Sequence, residues 1–365
     1  MSRRLRAGLT TGLLVTGLAL MGAPSASATV QQGIGYATTP AQPYKGNPDS
    51  ADWLGSYVVN GKQVFCVQFA YVAPDSDELY QPGMALKTKW GTDLPADVAA
   101  NISYLLLRYG DTKNPDEASA LAHLLHTWTA SPQNPGQLDP ANDFRTIAYD
   151  APAHLAKLPA NAQTAVQTLT ADATANRGPW TATVVAPNAQ QTIGVAGDWG
   201  IEVKNASGKG IPNVAVTVDA IDATFPGPDG KPVTTGTVTT TETTPLVLKV
   251  TPTGSSPKLD IKLASPADVP VVQDAVQVDT QRIISTGGEK QLTKSAQASA
   301  IPPPTTTTPP QVPSKIPAGG SPDAPVAQAS MDSSLSGGAI AGILGVLVLG
   351  ALLMWQLVLR KRERV

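Results

Sequence analysis

An uncharged apolar run near the C-terminus constrains this sequence more than any other feature. The run from Gly337 to Leu359 contains no charged side chain, and as a helix it is long enough to cross a bilayer. A basic tail at 360–365 follows directly, and clustered basic residues favour the cytoplasmic side. The sequence therefore predicts one transmembrane helix with a cytoplasmic tail. Gly338 and Gly342 have the spacing that lets two membrane helices approach, so a helix dimer is one expected partner interaction.

The first 28 residues have the three parts of a secretory signal peptide. Basic residues at the start precede an apolar run that is too short to span a bilayer. Ala26 and Ala28 then provide the small residues of a cleavage site, so the mature chain would begin at Thr29. Together with the C-terminal run, this predicts a single-pass cell-membrane protein whose N-terminal ectodomain lies outside the cell.

The balance of charges argues against nucleic acid as a partner. The chain has 26 basic and 28 acidic side chains, and seven of the basic ones lie in the predicted signal peptide and tail. The ectodomain is therefore acidic, whereas phosphate binding needs a basic surface. The expected partner is an extracellular or cell-wall ligand of unidentified kind. Cys66 is the one cysteine of the sequence, so no disulfide can form within the chain, and no motif predicts a cofactor.

Residues 29–177 are predicted to form an α+β domain. All eight tyrosines lie in this range, so it can bury an aromatic core. Asn60-Gly61 has the residue types of a type I′ turn and predicts a hairpin, whose second strand points Cys66 and Phe65 to opposite faces. The spacing of apolar residues then predicts helices at 93–109, 115–128 and 144–158, and a fourth that begins at Pro159.

The rest of the ectodomain is predicted to contain a second domain and a stalk. From 178 to 294, Thr and Val dominate, and apolar residues such as Leu246, Leu248 and Val250 alternate with polar ones. This alternation indicates the short strands of an all-β, immunoglobulin-like sandwich. Residues 295–336 are rich in Pro, Thr, Gly and Ser and are predicted to form a disordered, extended stalk.

Two stretches resemble known protein families. Residues 55–67, which contain the predicted hairpin and Cys66, resemble the start of the thioester domains of Gram-positive adhesins. Residues 208–218 resemble the early strands of prealbumin-like repeats in bacterial surface proteins. The stalk and the predicted anchor extend the resemblance to Gram-positive, actinobacterial-type cell-surface proteins.

The resemblance to thioester domains implies a candidate site. In that family a cysteine thiol displaces ammonia from a glutamine in a Thr-Gln-x-Ala segment before a helix with a tryptophan, and the thioester captures amines on a host surface. Cys66 matches that cysteine. The helix that ends near Trp128 carries His123 and His126 and no such glutamine, which leaves Gln133 and Gln137 as candidate partners. The missing glutamine favours a degenerate, non-catalytic thioester domain presented on the stalk.

A surface cysteine hydrolase or transpeptidase is the alternative, with Cys66 as nucleophile and His123, His126 or His154 as base. A cysteine inside an apolar strand lacks the cationic neighbour that activates a thiol, so Cys66 is expected to be buried and inert. His123 and His126 are expected to face solvent, and the sequence has no metal motif, so no metal is predicted. The sequence therefore favours a membrane-anchored, adhesin-like or wall-associated surface protein that is not an enzyme.

Overall fold

The computed structural model describes residues 29–241 and 244–305. All helices and strands within these ranges belong to one compact unit that ends at Pro304. The predicted signal peptide, most of the predicted stalk and the predicted transmembrane run, with Gly338 and Gly342, lie outside the described residues. Within those ranges, no helix is both long enough and apolar enough to cross a bilayer.

The first part of the described chain consists of strands followed by helices, as predicted. The strands are β1 (Gln32–Thr38), β2 (Asp52–Val59), β3 (Lys62–Cys66) and β4 (Tyr80–Pro82). The helices are α1 (Ala96–Tyr109), α2 (Pro115–Ala130), α3 (Ala151–Lys157) and α4 (Ala160–Asn176), with a 3-10 turn at Pro135–Leu138. The third helix is shorter than predicted, because residues 144–150 form a turn and an irregular segment before it.

The hairpin formed by β2 and β3 confirms the prediction from Asn60-Gly61. Both turn residues have positive φ angles, 51° at Asn60 and 73° at Gly61, as a type I′ turn requires. Tyr57 lies opposite Val64 and Val59 lies opposite Lys62. This register fixes which face of the sheet each residue of β3 occupies.

The remaining strands are numbered β5 to β17 in chain order. They are β5 (Thr181–Val185), β6 (Gln191–Thr192), β7 (Gly197–Lys204), β8 (Ala215–Ile221), β9 (Ala223–Pro226), β10 (Pro232–Val233), β11 (Thr235–Thr239), β12 (Leu246–Pro252), β13 (Lys258–Ser265), β14 (Val271–Ala275), β15 (Ile283–Ser285), β16 (Lys290–Gln297) and β17 (Ala300–Ile301). A five-stranded sheet has the order β10-β9-β12-β7-β5, and a four-stranded sheet has the order β11-β8-β13-β16. Their buried side chains, such as Trp199 and Ile261, belong to one core, as expected of a β-sandwich.

Two strands from the range that the sequence assigned to the sandwich join the first sheet. That sheet has six strands in the order β1-β2-β3-β15-β14-β4, and Ile283 of β15 lies opposite Cys66 of β3. The chain therefore crosses from the first part to the sandwich, returns, and crosses again to form β16. The strand β16 and the strand β17, which pairs with β6 in a separate two-stranded sheet, extend the folded part to Ile301, into residues that the sequence assigned to the stalk.

The helix α2 is buried on both sides. It contacts β1 and β2 on one side and α4 on the other. Its buried residues include the small side chains Ala118, Ser119 and Ala122, which let the helix approach its neighbours closely. Because α2 is covered on both sides, the polar residues Ser119, His123, His126 and Thr129 are buried along with its apolar ones.

The first sheet tolerates no added side chain where two glycines face each other. Gly35 of β1 lies opposite Gly55 of β2, and a Cβ on Gly55 would come within 2.7 Å of the Gly35 Cα and also collide with the Ile34 carbonyl. We expect Gly55→Ala to lower the free energy of unfolding by about 1–3 kcal/mol, because the strands must separate.

Urea denaturation of the full-length chain measures this effect. Gly200→Ala in β7 is the matched control, since a Cβ there would meet its nearest neighbour at 3.8 Å, an ordinary contact. Equal stability of the two variants would show that β1 and β2 are not held as closely as described.

Candidate functional site

Cys66 is the last residue of β3 and is buried, as the sequence predicted. Only 3% of it is exposed, and it packs with Tyr57, Val64 and Ile283 in a small apolar cluster. Phe65 and its alternating neighbours point to the other face of the sheet and join the main core. Burial raises the pKa of the Cys66 thiol well above its ordinary value, so the sulfur stays neutral at physiological pH.

Gln281 lies close to Cys66 on the neighbouring strand segment. Ile283 is directly opposite Cys66, and the Val67 N–H donates to the Arg282 carbonyl at 3.1 Å, so Gln281 is diagonal to Cys66 across the strand pair. Side chains in diagonal positions of an antiparallel pair are near enough for a long side chain to reach its neighbour. The Tyr80 ring borders the pair, because it packs in the cluster with Cys66 and its hydroxyl donates to the Gln281 carbonyl at 3.0 Å.

The carboxamide of Gln281 is only half satisfied. The residue is 7% exposed, and its Nε2 donates to the Tyr71 carbonyl at 3.1 Å. Its Oε1 is buried and has no hydrogen-bond partner within the described residues. A buried acceptor without a partner costs about 1–3 kcal/mol, so few are kept without a function.

A cavity of about 370 Å³ opens beside Gln281. It lies between the start of β2 and the segment that follows β3, where these two stretches of the chain separate beyond the Tyr57–Val64 pair. Gln281 and His126 both line this cavity, together with rings and carboxylates that include Tyr44, Trp53, Tyr57, Tyr71, Asp49, Asp52 and Asp75. A small molecule or a side chain can thus enter next to the Gln281 carboxamide.

All three histidines of the chain are buried in one cluster around Phe69 and Tyr149. The expectation that His123 and His126 face solvent is wrong, because α2 is covered on both sides. His123 Nδ1 and the Tyr149 hydroxyl are hydrogen-bonded at 2.8 Å, and His154 Nε2 is 2.9 Å from an Asp52 carboxylate oxygen.

Burial is the main cause of the low basicity of two of these histidines. It lowers the pKa of His123 to about 4 and that of His126 to about 3. Both rings are therefore neutral at physiological pH. His126 Nδ1 is buried and makes no hydrogen bond within the described part of the chain.

The structure does not bring Cys66 together with the other residues that the sequence singled out. His126 and His154 pack against Phe69 and His123 packs against Tyr149 on the main-core side of the sheet, whereas Cys66 points to the opposite face. Among the described residues, no hydrogen bond joins Cys66 to a histidine. No group of three or more potential metal ligands is found in residues 29–241 and 244–305 either.

Gln133 and Gln137 lie in the exposed turn after α2. The Gln137 side-chain oxygen accepts from the Gln133 N–H at 2.6 Å and from the Asn134 N–H at 3.3 Å, so this carboxamide caps the turn. The sequence does not single out Gln281, because the resemblance to thioester domains points to glutamines near the tryptophan-containing helix. The one local signal is a glutamine two residues before the short apolar strand Ile283–Ser285, and this pattern alone does not place that strand beside β3.

Solved structures that are similar to this chain include two proteins. The Bacillus anthracis TIE protein has a TM-score of 0.33 and 10% identity, and the similarity covers 75% of this chain and 48% of that one. The thioester domain of the Enterococcus faecium TIE86 protein has a TM-score of 0.29 and 13% identity, over 74% of this chain and 95% of that one. This chain thus spans about half of the first structure. No protein-family model and no curated protein matches the sequence. Identity and TM-score are low, so the function has to be argued from the residues of this chain.

Proposed function

We propose that this chain is an adhesin-like surface protein in which Cys66 and Gln281 form an internal thioester that captures amines. The Cys66 sulfur adds to the Gln281 Cδ, the carbon–nitrogen bond of the carboxamide breaks, and ammonia leaves with the thiol proton. An incoming amine then forms an amide at the same carbon. The carbon–sulfur bond breaks, and the proton released by the amine returns to the Cys66 sulfur.

The register of β3 and β15 is the observation that carries this proposal. It puts Ile283 opposite Cys66. Gln281 is therefore diagonal to Cys66 across the same pair of strand segments. Two other carboxamides, that of Gln137 and that of Gln68 just after β3, accept hydrogen bonds from backbone N–H groups. The Gln281 carboxamide is the one that combines this position with a buried, unpartnered oxygen.

The environment of the sulfur favours a thioester over a free thiolate. Burial raises the pKa of Cys66 and so penalises the charged thiolate, whereas a thioester is neutral. The same burial keeps water away from the carbonyl carbon and slows hydrolysis. A cysteine hydrolase would need the opposite environment, since its nucleophile is a stabilised thiolate paired with a base.

The surface location in this proposal rests on the two ends of the sequence. The predicted signal peptide would export the chain, and the helix from Gly337 to Leu359 would hold it in the membrane. The Pro/Thr-rich residues that precede that helix would act as a spacer between the membrane and the folded part. An exported electrophile held away from the membrane suits covalent attachment to a neighbouring surface.

Peptide mass spectrometry of the full-length chain tests the thioester. In the untreated denatured chain, iodoacetamide should leave Cys66 largely unlabelled. After methylamine treatment, Cys66 should label fully and Gln281 should carry an N-methyl amide. Cys66→Ser and Gln281→Asn should each abolish methylamine incorporation, because each removes one partner of the bond.

Gln273→Asn is the matched control for Gln281→Asn. Gln273 lies in β14, opposite Ile283 on the side away from β3, so it should not affect the reaction. Full labelling of Cys66 in the untreated chain, with an unmodified Gln281 after methylamine, would rule out the thioester.

A further inference from the structure

An exposed apolar rim surrounds one side of the cavity. Three segments lie side by side there: the Gln31 N–H donates to the Pro74 carbonyl at 3.2 Å, and the Val276 N–H donates to the Leu79 carbonyl at 2.8 Å. Large apolar side chains project from these segments into solvent. We call this set the valine rim; it consists of Val30 (47% exposed), Val72 (56%), Leu79 (66%), Val276 (56%) and Val278 (84%).

The valine rim is continuous with the cavity. Val30 and Val72 belong to the rim and also line the cavity in which Gln281 lies. The Val72 N–H donates to the Asp279 carbonyl at 2.9 Å, so the loop that carries Val278 is bonded to the cavity wall. Exposed apolar residues scattered singly need no explanation, but a contiguous group at the mouth of a cavity is typical of a binding surface.

The charges around the rim are negative and have no ion-pair partner among the described residues. Asp75, Asp77 and Glu78 lie in one rim segment, and Asp49 lines the cavity. Within the described residues, no lysine or arginine forms an ion pair with any of these four carboxylates. The Glu78 Oε1 is buried and has no hydrogen-bond partner among the described residues.

Neighbouring carboxylates on the same face are paired. Asp279 binds Arg145 at 2.7 Å, and Asp274 binds Arg282 at 2.5 Å. The four carboxylates without an ion pair named above therefore lie in the segment that holds Leu79 and at the cavity. A partner that covers this surface needs apolar side chains for the rim and cationic ones for the carboxylates.

We propose that the valine rim docks a basic, apolar segment of a partner protein and delivers a lysine of that segment to the cavity. This inference rests on the proposed function, since the thioester is what the delivered amine would meet. The rim then determines which amines react quickly: a lysine in a suitable segment is held at the cavity, whereas a lysine in an acidic segment is repelled.

Two synthetic peptides of equal length test the docking. Each has one lysine, flanked by leucine and arginine in the first peptide and by serine and glutamate in the second. Docking alone is measured by fluorescence anisotropy with the lysine acetylated, and capture is measured with the free lysine. We expect the wild-type full-length chain to bind and capture the first peptide at least about tenfold better, with binding that weakens as salt is added.

The rim variant combines Leu79→Ser, Val276→Ser and Val278→Ser, none of which lines the cavity. It should bind and capture the first peptide about tenfold less well and should incorporate methylamine at the wild-type rate. The matched control combines Val185→Ser, Val195→Ser and Val247→Ser, which are 58%, 57% and 58% exposed on the sandwich. The control should bind like the wild type.

Methylamine separates this inference from the proposed function, because it reports on the thioester without the rim. Failure of methylamine incorporation in the wild type would overturn the thioester, while the acetylated peptide would still test docking. Wild-type affinity of the rim variant for that peptide would overturn the rim as a docking surface. Sedimentation could also show that the wild-type chain self-associates and that the rim variant does not. This result would overturn the proposal too, because the rim would then bind a second copy of this chain and not a partner protein.

Discussion

Replacing Lys89 by methionine should lower the free energy of unfolding by about 3–5 kcal/mol, because it leaves three backbone carbonyls without their hydrogen-bond donor at once. The Lys89 ammonium donates to the carbonyls of Phe69 at 2.8 Å, Phe144 at 2.7 Å and Ile147 at 2.6 Å. It also lies over the rings of Phe69, Tyr71 and Trp90, each between 5.5 and 5.8 Å from the ring centroid. Methionine keeps most of the apolar stem and leaves the three carbonyls without this donor.

Lys87→Met is the matched control for that substitution. Lys87 lies two residues away and pairs only with Asp93, at 3.2 Å, in an exposed ion pair that is worth at most about 1 kcal/mol. Urea denaturation of both variants gives the comparison. Equal stability of Lys89→Met and Lys87→Met would show that the three carbonyls find other partners and that Lys89 does not connect the Phe69 segment to residues 144–147.

The Lys89 contacts also affect the proposed site, because Phe69 and Tyr71 line the cavity and the Tyr71 carbonyl holds the Gln281 carboxamide. A looser 69–71 segment would allow Gln281 to leave its position beside Cys66. We therefore expect Lys89→Met to reduce the fraction of chains that incorporate methylamine as well as the stability.

The local parts of the fold could be predicted from the sequence. The Asn60-Gly61 turn needs only two adjacent residues with positive φ, and the strand that follows it alternates in a way that places Cys66 and Phe65 on opposite faces. Helices α1, α2 and α4 follow from apolar spacing in single segments. In each case the information lies within about twenty residues of the chain.

The candidate site could not be predicted in the same way, because it depends on the pairing of strands that place Cys66 and Gln281, 215 positions apart, in diagonal positions. Nothing in the local pattern of Ile283–Ser285 distinguishes a strand of the first sheet from a strand of the sandwich. Only the pairing of β15 with β3 makes the distinction. The expectation that His123 and His126 face solvent is wrong for a related reason. The spacing of apolar residues shows which side of α2 is most apolar, but it does not show that α4 covers the other side.

Acid should unfold this protein through the same buried histidines. Burial lowers the pKa of His123 to about 4 and that of His126 to about 3, whereas the unfolded chain has ordinary histidines near 6.5. Between about pH 6.5 and pH 4 the unfolded state binds more protons than the folded state, so stability is complete above this window and falls as the pH is lowered. By pH 4 the loss should reach about 3 kcal/mol for each histidine, and the two together approach the total stability of an ordinary domain.

Urea midpoints measured at pH 7.5, 5.5 and 4.5 show how the stability falls with pH. His126→Phe should remove roughly half of this fall, and His123→Gln should remove roughly the other half. Two of the carboxylates should contribute little in the same window. Hydrogen bonds from Thr146 and Lys258 hold the pKa values of Asp143 and Asp260 below the ordinary value of 3.8, so protonation of these groups matters only at lower pH. A free energy of unfolding that stays constant from pH 7.5 to 4.5 would mean that His123 and His126 are accessible to protons without unfolding. In that case the cluster around Phe69 and Tyr149 would have to open to water in the folded protein.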